Sequence, residues 1–494
     1  MSDKNKLEQG LVAIAGKSNV VMDREKLEQF AGAYHGFAKP EIPVGMVYVS
    51  TTEEIKQVID FVREETDYSI VACSSEDRVH LTGSSLPAEG VEAVILNLSH
   101  MKRVFHIDYR NRIAFVEAGV TFAELEEALK GTGLKLDYPF LARPDKSVVA
   151  TLLDRDPITA PMNVWDTNDP LLCLEVVFGE GTIFRTGSAS GPGTLEELWE
   201  AGVAMNNPLG PSHTDFARVL SGSQGTLGIV SWASIKLEYD LSVEKMQYVE
   251  ADTVAELAPA AWNGIRRRLG NNYVILNDFA LGCAAGHNPA AIDEITEKAG
   301  KWTLVVDIAG KRIRPEQKVA YQTKDFKELV RSAPMRKQAV DEIAAVSNIK
   351  MQKLLTGLNE GELWKLRYTG NAMDLYFLTT LDQADKYVAI AEEVLSDRYK
   401  LAVYVQPAMQ GRNAHVEFVI PYAEDAAEQA EADYKKLMEK LLEAGAFFSR
   451  PSGICQDQIF AKAPMQVKSI GKMKQLFDDK DVLNRNRFFK GVTA

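Results

Sequence analysis

The chain has little that would tie it to nucleic acid, a membrane or a disulfide framework. Its four cysteines, Cys73, Cys173, Cys283 and Cys455, are scattered over 494 residues. That spacing predicts neither disulfide pairing nor a paired-cysteine metal motif, and hence no iron–sulfur cluster carried by the chain itself. Positive charge is scarce, the formal net charge being -13. Phosphate recognition needs clustered cations, and Arg266-Arg267-Arg268 is the one short basic run, read as a solvated helix face. No apolar run is long enough to cross a bilayer. The opening Met1-Ser2-Asp3-Lys4-Asn5-Lys6 lacks the apolar core of a secretory signal, so a cytoplasmic location is expected.

What remains is an ordinary globular composition, 46% hydrophobic and 25% charged, in a chain too long for one core. The first 40 residues read as a polar helical lead-in. From Pro43 short strands alternate with amphipathic helices. Thr51-Thr52-Glu53-Glu54 reads as a capping box followed by the buried stripe Ile55, Val58, Ile59 and Val62, and Thr121 to Glu124 repeats the device before Leu125 and Leu129. Apolar runs predict strands at 93–98, 113–117, 172–178 and 229–237. A change of character near Leu241 opens a second region. It carries expected strands at 302–309, 401–407 and 414–420 and charged helices at 316–331 and 423–444.

Two glycine-punctuated segments carry most information. Leu174-Glu175-Val176-Val177-Phe178 runs into Gly179-Glu180-Gly181, a strand entering a hairpin. Gly222-Ser223-Gln224-Gly225-Thr226-Leu227-Gly228-Ile229-Val230 is a tight turn feeding an apolar strand, with glycines that allow a close backbone approach to a ligand. In the same order stand Val47 to Glu54, Glu117-Ala118-Gly119-Val120-Thr121, Ser147 through Asp166, and Leu476-Phe477-Asp478 with Val482-Leu483-Asn484. Together these resemble the FAD-binding domain of the vanillyl-alcohol oxidase/p-cresol methylhydroxylase superfamily.

The resemblance implies an α+β fold: a two-subdomain FAD-binding domain of the p-cresol methylhydroxylase type plus an α+β cap domain. The expected divisions are 1–40 lead-in, 41–240 FAD-binding domain, 241–455 cap, and 456–494 a C-terminal return to the FAD domain. FAD is the implied cofactor. Its expected contacts are Ser74, Ser75, His80, Thr82 and Gly83 in the pyrophosphate loop, then Gly119, Ser147, Val148 and Thr151. Gly222, Gly225, Thr226, Gly228, Ile229 and Asn484 complete the set. Gly83 alone stands at a glycine position of that loop, which also carries Glu76 and Asp77.

For the chemistry, Asp166 matches an aspartate that acts as acid/base in the phenol-oxidising branch, or else it is a turn-capping loop carboxylate. Asn413 and His415 match a segment of the D-lactate and glycolate dehydrogenase branch. There His415 would handle a proton and Asn413 orient an oxygen, the alternative being a histidine satisfied inside the core. Strand alternation puts His415 and Glu417 on one face. Trp364-Lys365-Leu366-Arg367 resembles a Trp-x-x-Arg segment whose arginine grips a carboxylate, so Arg367 is expected to bind substrate, with Tyr404, Gln406 and a second cationic candidate, Arg450, in the same set. The alternative for either arginine, and the first reading for Arg450, is a surface or ion-paired group. The branch's metal ligands are largely replaced, by Ala408 and Pro451-Ser452, so no metal is expected.

These features predict an FAD-dependent oxidoreductase, a dehydrogenase rather than an oxidase. It would transfer hydride from a small anionic alcohol, a 2-hydroxy acid or an aromatic alcohol, to flavin N5. Electrons would pass to a separate acceptor protein or redox-complex subunit, in an oligomeric assembly. A phenol-oxidising flavoenzyme, with Asp166 as acid/base and Arg450 on a phenolate, is one alternative. A weakened flavin-binding or structural subunit is the other.

Overall fold

The computed structural model describes all residues except 1–2, 33–35, 38–39, 76–83, 168, 333–334 and 489–494, together with the side chains of Asp3 and Asp166. His80, Thr82 and Gly83 therefore lie outside the described residues. Three larger sheets organise the chain. The first contains β1 (Val20–Val21), β2 (Gly45–Tyr48), β3 (Ser69–Cys73) and β4 (Ala93–Asn97) in the order β1-β2-β4-β3. Strands β2, β4 and β3 run parallel, whereas β1 joins antiparallel, so the lead-in is not purely helical. The helix Thr52–Glu65 buries Ile55, Val58, Ile59 and Val62, as the period predicts. Thr51 Oγ1 accepts from the Glu54 N–H, while the Glu54 carboxylate accepts from the N–H of Ser50, one residue before the expected reciprocal partner. The helix Phe122–Leu129 has the full box, with Thr121 and Glu124 satisfying each other.

The second sheet is antiparallel. It holds β5 (Val104–Asp108), β6 (Ile113–Glu117), β8 (Leu171–Phe178), β9 (Ile183–Arg185) and β10 (Gly228–Lys236) in the order β5-β6-β10-β8-β9. Strand β7 (Leu134–Lys135) pairs apart from it with β11 (Glu238–Tyr239). The expected hairpin joins β8 to β9 through Gly179, Glu180 and Gly181.

The third sheet is antiparallel with six strands: β12 (Val243–Ala251), β13 (Asn272–Asn277), β14 (Trp302–Gly310), β15 (Ala372–Thr379), β16 (Ala402–Ala408) and β17 (Asn413–Pro421). Their order is β12-β14-β13-β16-β17-β15. Three of these strands, β12, β13 and β15, are not singled out by the apolar pattern of the sequence. Helices Val254–Arg266, Pro315–Arg331, Ala384–Leu395 and Ala427–Glu443 cover one face, on a core containing Leu257, Phe326, Tyr387, Val405, Val416 and Leu437. The last of them is preceded by a 3-10 turn at Glu424–Ala426, so it starts later than its charge pattern suggests. The opposite face of β15, β16 and β17 looks toward the first two sheets.

The chain closes on itself at its end. The Ile70 N–H donates to the Val482 carbonyl and the Asn484 N–H donates to the Ile70 carbonyl, extending the edge of β3. Asp478, fully buried at its side chain, accepts from the Val482 and Leu483 amides at 2.9 and 2.7 Å and pairs with Lys474. A Cβ at Gly179 would come within 2.4 Å of that carboxyl, so the β8–β9 turn and the returning segment need a glycine there. Replacing Asp478 with Ala strands two buried amide donors and takes one partner from Lys474, which keeps Asp481 and the Thr226 and Leu483 carbonyls, at a cost of about 2 kcal/mol. Asp478→Ala should lower the denaturant midpoint accordingly, and Asp478→Asn, which keeps an acceptor, should lower it less.

Candidate functional site

A cleft of about 380 Å³ opens between the first two sheets and the third. Three local features build its floor. The turn at residues 222–225 places Gly222, Gln224 and Gly225 in the left-handed region, with φ of 74°, 51° and 69°. A Cβ at Gly225 would meet nothing within 4 Å, so this glycine faces open space where backbone and ligand can approach. Gly222 is different: a Cβ there would lie 2.7 Å from the Arg155 guanidinium. The second feature is the N-terminus of the helix Val148–Leu153. Ser147 caps it, its Oγ accepting from the Ala150 N–H, and its own N–H donates to Ser75 Oγ at 2.8 Å. The third is the returning Asn484, whose Nδ2 donates to the carbonyls of Ser84 and Gln224.

Ser74, Ser75, Thr151, Gly222, Gly225, Gly228 and Ile229 line this cleft. Gly119, Ser147, Val148, Thr226 and Asn484 are not among its lining residues and brace it from behind. Gly119 is required by packing, since a Cβ would lie 2.3 Å from the Leu98 carbonyl oxygen. Thr226 donates to the Ser223 carbonyl within the turn.

The wall belongs to the third sheet, and its chemistry follows from strand alternation. On β17, Ala414, Val416 and Phe418 enter the helix-covered core while His415 and Glu417 take the other face. On β15, Met373, Leu375 and Phe377 do the same, leaving Asp374 and Tyr376. The register then sets Glu417 between Tyr376 and Tyr404, and His415 beside Gln406. Buried charge in such a place must be paired. The ammonium of Lys365 is held between Asp374 Oδ2, at 2.7 Å, and the Glu417 carboxylate. His415 Nε2 lies 2.8 Å from the other Glu417 oxygen.

Burial works against the charge on Glu417, yet Lys365 and His415 hold its pKa below the usual carboxylate range. Burial depresses the pKa of His415, so at neutral pH the imidazole is uncharged and donates Nε2–H to Glu417. Asp374 goes the other way. Burial and the neighbouring Glu417 outweigh Lys365 and push it up to about 7.

Arg450 enters the cleft from the segment after the helix Ala427–Glu443. Its side chain is 9% exposed and pairs with Asp156 at 3.1 Å. The guanidinium carbon sits 4.2 Å from the ring centre of Tyr376 and 5.8 Å from that of Trp165. Lys146 also pairs with Asp156, at 2.7 Å, while burial raises neighbouring Asp154 to about 6. Phe140 stacks on Tyr404 with ring centres 5.0 Å apart, and Trp364 meets Phe140 edge-on.

The expected substrate residues thus separate. Tyr404 and Arg450 line the cleft. Gln406 is fully buried, its Oε1 accepting from the Tyr404 hydroxyl and its Nε2 donating to the Thr159 carbonyl. Asn413 donates to the Met409 sulfur, and His415 stands behind Glu417. Arg367 departs furthest from its expected role. Its guanidinium donates to the carbonyls of Glu362, Cys283, Ala284 and Gly286, closing the end of the helix Asp278–Ala285 rather than entering the cleft. The cleft-facing members of that motif are Trp364 and Lys365. Asp166 lies in the turn Trp165–Thr167, and its side chain is outside the described residues. Nothing in the local sequence marks Lys365, which lies in a turn, or Asp374 and Tyr376, which alternate with apolar residues on β15, as groups of the cleft.

Residues 43–187 match the FAD binding domain family. The glycolate oxidase subunit GlcD of Bacillus subtilis is 27% identical over 202 residues, 40% of this chain and 37% of that relative, so the chain spans well under half of its length. The flavoprotein subunit of 4-cresol dehydrogenase [hydroxylating] from Pseudomonas putida is 22% identical across 98% of this chain and 95% of its own. A substrate-bound p-cresol methylhydroxylase structure superposes with a TM-score of 0.82 at 20% identity, covering 99% of this chain and 97% of that one.

The residues present suit FAD. Gly225 leaves room at the cleft for a close backbone approach. One carboxamide oxygen of a cleft-lining residue, Gln224 Oε1, is buried without a hydrogen-bond partner among the described residues and would accept from a ligand's N–H or O–H group. Gly225→Val should fill the open space and strain a residue at φ 69°, so the purified variant should retain less than about a tenth of the wild-type flavin. Full flavin content in that variant, read from its visible absorbance, would remove the turn from the cofactor site. The chain thus carries an FAD binding domain over residues 43–187, with FAD as cofactor, on a fold of the p-cresol methylhydroxylase type.

Proposed function

We propose that the protein is an FAD-dependent oxidoreductase acting on a small aromatic alcohol or alkylphenol whose anionic oxygen rests on Arg450. The observation that carries this reading is the buried Arg450 guanidinium at a cleft walled by Tyr376, Tyr404, Phe140 and Trp364. A fork of N–H donors already oriented by Asp156 suits an anionic oxygen. Aromatic walls suit a flat ring and exclude water, which strengthens the charge interaction inside. Bound FAD supplies the acceptor for a hydride from the substrate carbon. Every other task falls to the chain. Arg450 binds and orients, the aromatic wall fixes the ring plane, and His415, neutral behind Glu417, holds that carboxylate in place.

A 2-hydroxy acid is the second reading, favoured by the match to the glycolate oxidase subunit. Its carboxylate would use Arg450 too, because Arg367 is committed to a helix end. In either case the electrons pass on to a separate acceptor, proposed to be a partner protein, and a dehydrogenase fits better than an oxidase.

Anaerobic bleaching of the flavin-loaded protein by a panel of 4-alkylphenols, benzylic alcohols and 2-hydroxy acids tests the reading. Bleaching by aromatic substrates is expected, bleaching by hydroxy acids alone would select the second reading, and none would reject both. Arg450→Met should raise the KM for an anionic substrate about 100-fold, the cost of losing a charged hydrogen-bonded partner, while a neutral analogue shifts much less. Equal shifts would take the anion site away from Arg450.

A further inference from the structure

A separate electron acceptor needs a place to dock near the cofactor cleft. No residue of the helix Pro464–Phe477 is fully buried, yet the helix is far from uniformly polar. Met465, Met473 and Leu476, at i, i+8 and i+11, stand on one face and are 72%, 40% and 70% exposed. Lys468 and Lys472, at i+3 and i+7, flank them, and Lys462 precedes the helix; all three are exposed. Neither Lys468 nor Lys472 has an ion-pair partner among the described residues. The helix carries no Asp or Glu, in a chain whose net charge is -13. Charge of one sign around exposed methionine and leucine is the make-up of a contact surface, an apolar centre inside a polar rim.

The opposite side of the same helix reaches the cleft floor. Lys474 donates to the carbonyls of Thr226 at 2.8 Å and Leu483 at 2.6 Å. Phe477 stacks on Phe178 of β8 with ring centres 4.4 Å apart. Thr226 closes the glycine turn at 222–225, and Leu483 precedes Asn484, which holds that turn through the Gln224 carbonyl. A partner on the outer face is thus separated from the cofactor turn by the width of one helix, about 10 Å.

We propose that the exposed face of the helix Pro464–Phe477 docks a small acidic electron-carrier protein, with Met465, Met473 and Leu476 as its apolar centre and Lys462, Lys468 and Lys472 as its cationic rim. This rests on the reading of a separate acceptor. Two one-electron carriers dock in turn. Each is reduced by one electron, so the two electrons of the substrate's hydride leave and its proton goes to water. Opposite charge orients and speeds such an encounter. Weak redox contacts bury less than about 1,200 Å², a scale that suits three apolar side chains and a lysine rim. A second copy fits less well, because a two-fold contact would set lysine against lysine. An anionic bilayer would attract the same lysines but gains nothing from a helix bonded to the cofactor turn.

Oxidised plastocyanin, an acidic blue-copper protein, is the probe, with mitochondrial cytochrome c as its basic counterpart. Titration of the oxidised, flavin-loaded protein with plastocyanin should show binding that weakens as salt is raised. Lys468→Glu/Lys472→Glu should weaken it about tenfold or more, and Leu476→Ser about threefold or more, with flavin content unchanged. Lys324→Glu/Lys436→Glu makes the same charge change on the helices Pro315–Arg331 and Ala427–Glu443 and should shift binding much less. Light-driven reduction of the flavin, which needs no substrate, then reads the transfer. At low salt plastocyanin should reoxidise the wild type faster than cytochrome c does. Lys468→Glu/Lys472→Glu should slow plastocyanin about tenfold, whereas a neutral quinone reoxidises both proteins alike.

Equal weakening by the two lysine pairs, no binding of plastocyanin, or plastocyanin reoxidation unchanged in Lys468→Glu/Lys472→Glu would overturn the docking site. Loss of phosphatidylglycerol-vesicle binding, or of self-association, in that variant with plastocyanin binding intact would overturn it in favour of a bilayer or a second copy. If oxygen reoxidises the flavin and neither protein does, the separate acceptor fails together with the docking site.

Discussion

The cleft depends on charge being buried only in pairs. One ammonium, that of Lys365, sits between two carboxylates on adjacent strands, and the Arg450 guanidinium sits against Asp156 under a tyrosine ring. Removing Lys365 leaves the buried Asp374 carboxylate without its counter-ion, and removing Asp156 takes from Arg450 its paired carboxylate, each costing more than the intact arrangement contributes in a low-dielectric wall. The six-stranded sheet is what makes the pairing possible. Antiparallel register aligns Tyr376, Glu417 and Tyr404 across β15, β17 and β16. Alternation delivers every second residue of those strands to the same side. A single-residue slip would send the charges into the helix-covered core and bring Val416 and Phe418 to the cleft.

The floor rests on a different constraint. Its loops come from four distant parts of the chain, after β3, before the helix Val148–Leu153, at residues 222–225, and from the returning C-terminal segment. They are tied by Ser75 to Ser147 and by Asn484 to the Ser84 and Gln224 carbonyls. Asp478 supports that last link by satisfying the Val482 and Leu483 amides. The floor of the cleft is therefore tied to the return of the far end of the chain to the first sheet.

Much of the floor was legible in the sequence because glycine and serine requirements are local. The turn at 222–225 needs positive φ at two glycines, the serine at 147 caps the helix that follows it, and apolar strands flank both. The Thr51 and Thr121 caps and their buried stripes were legible for the same reason. The wall was harder to read. Arg367 lies two positions from Lys365 in a motif that suggests an anion-binding arginine, yet the fold turns it to the carbonyl end of a helix and presents the lysine to the cleft. Strand β15 carries Asp374 and Tyr376 among apolar residues, and no local pattern says that both will be desolvated.

The sequence by itself determined the apolar periods, the caps and the glycine turns, and through their order the kind of fold and the cofactor. Those properties are set by interactions within a few residues. The tertiary structure alone decided which charged side chains share the cleft. It tied Arg367 to a helix end and set Arg450 in the cleft, put His415 behind Glu417, and brought Lys365 between Asp374 and Glu417. Electrostatic roles depend on burial and on partners remote in the chain, and only the packed sheets supply both.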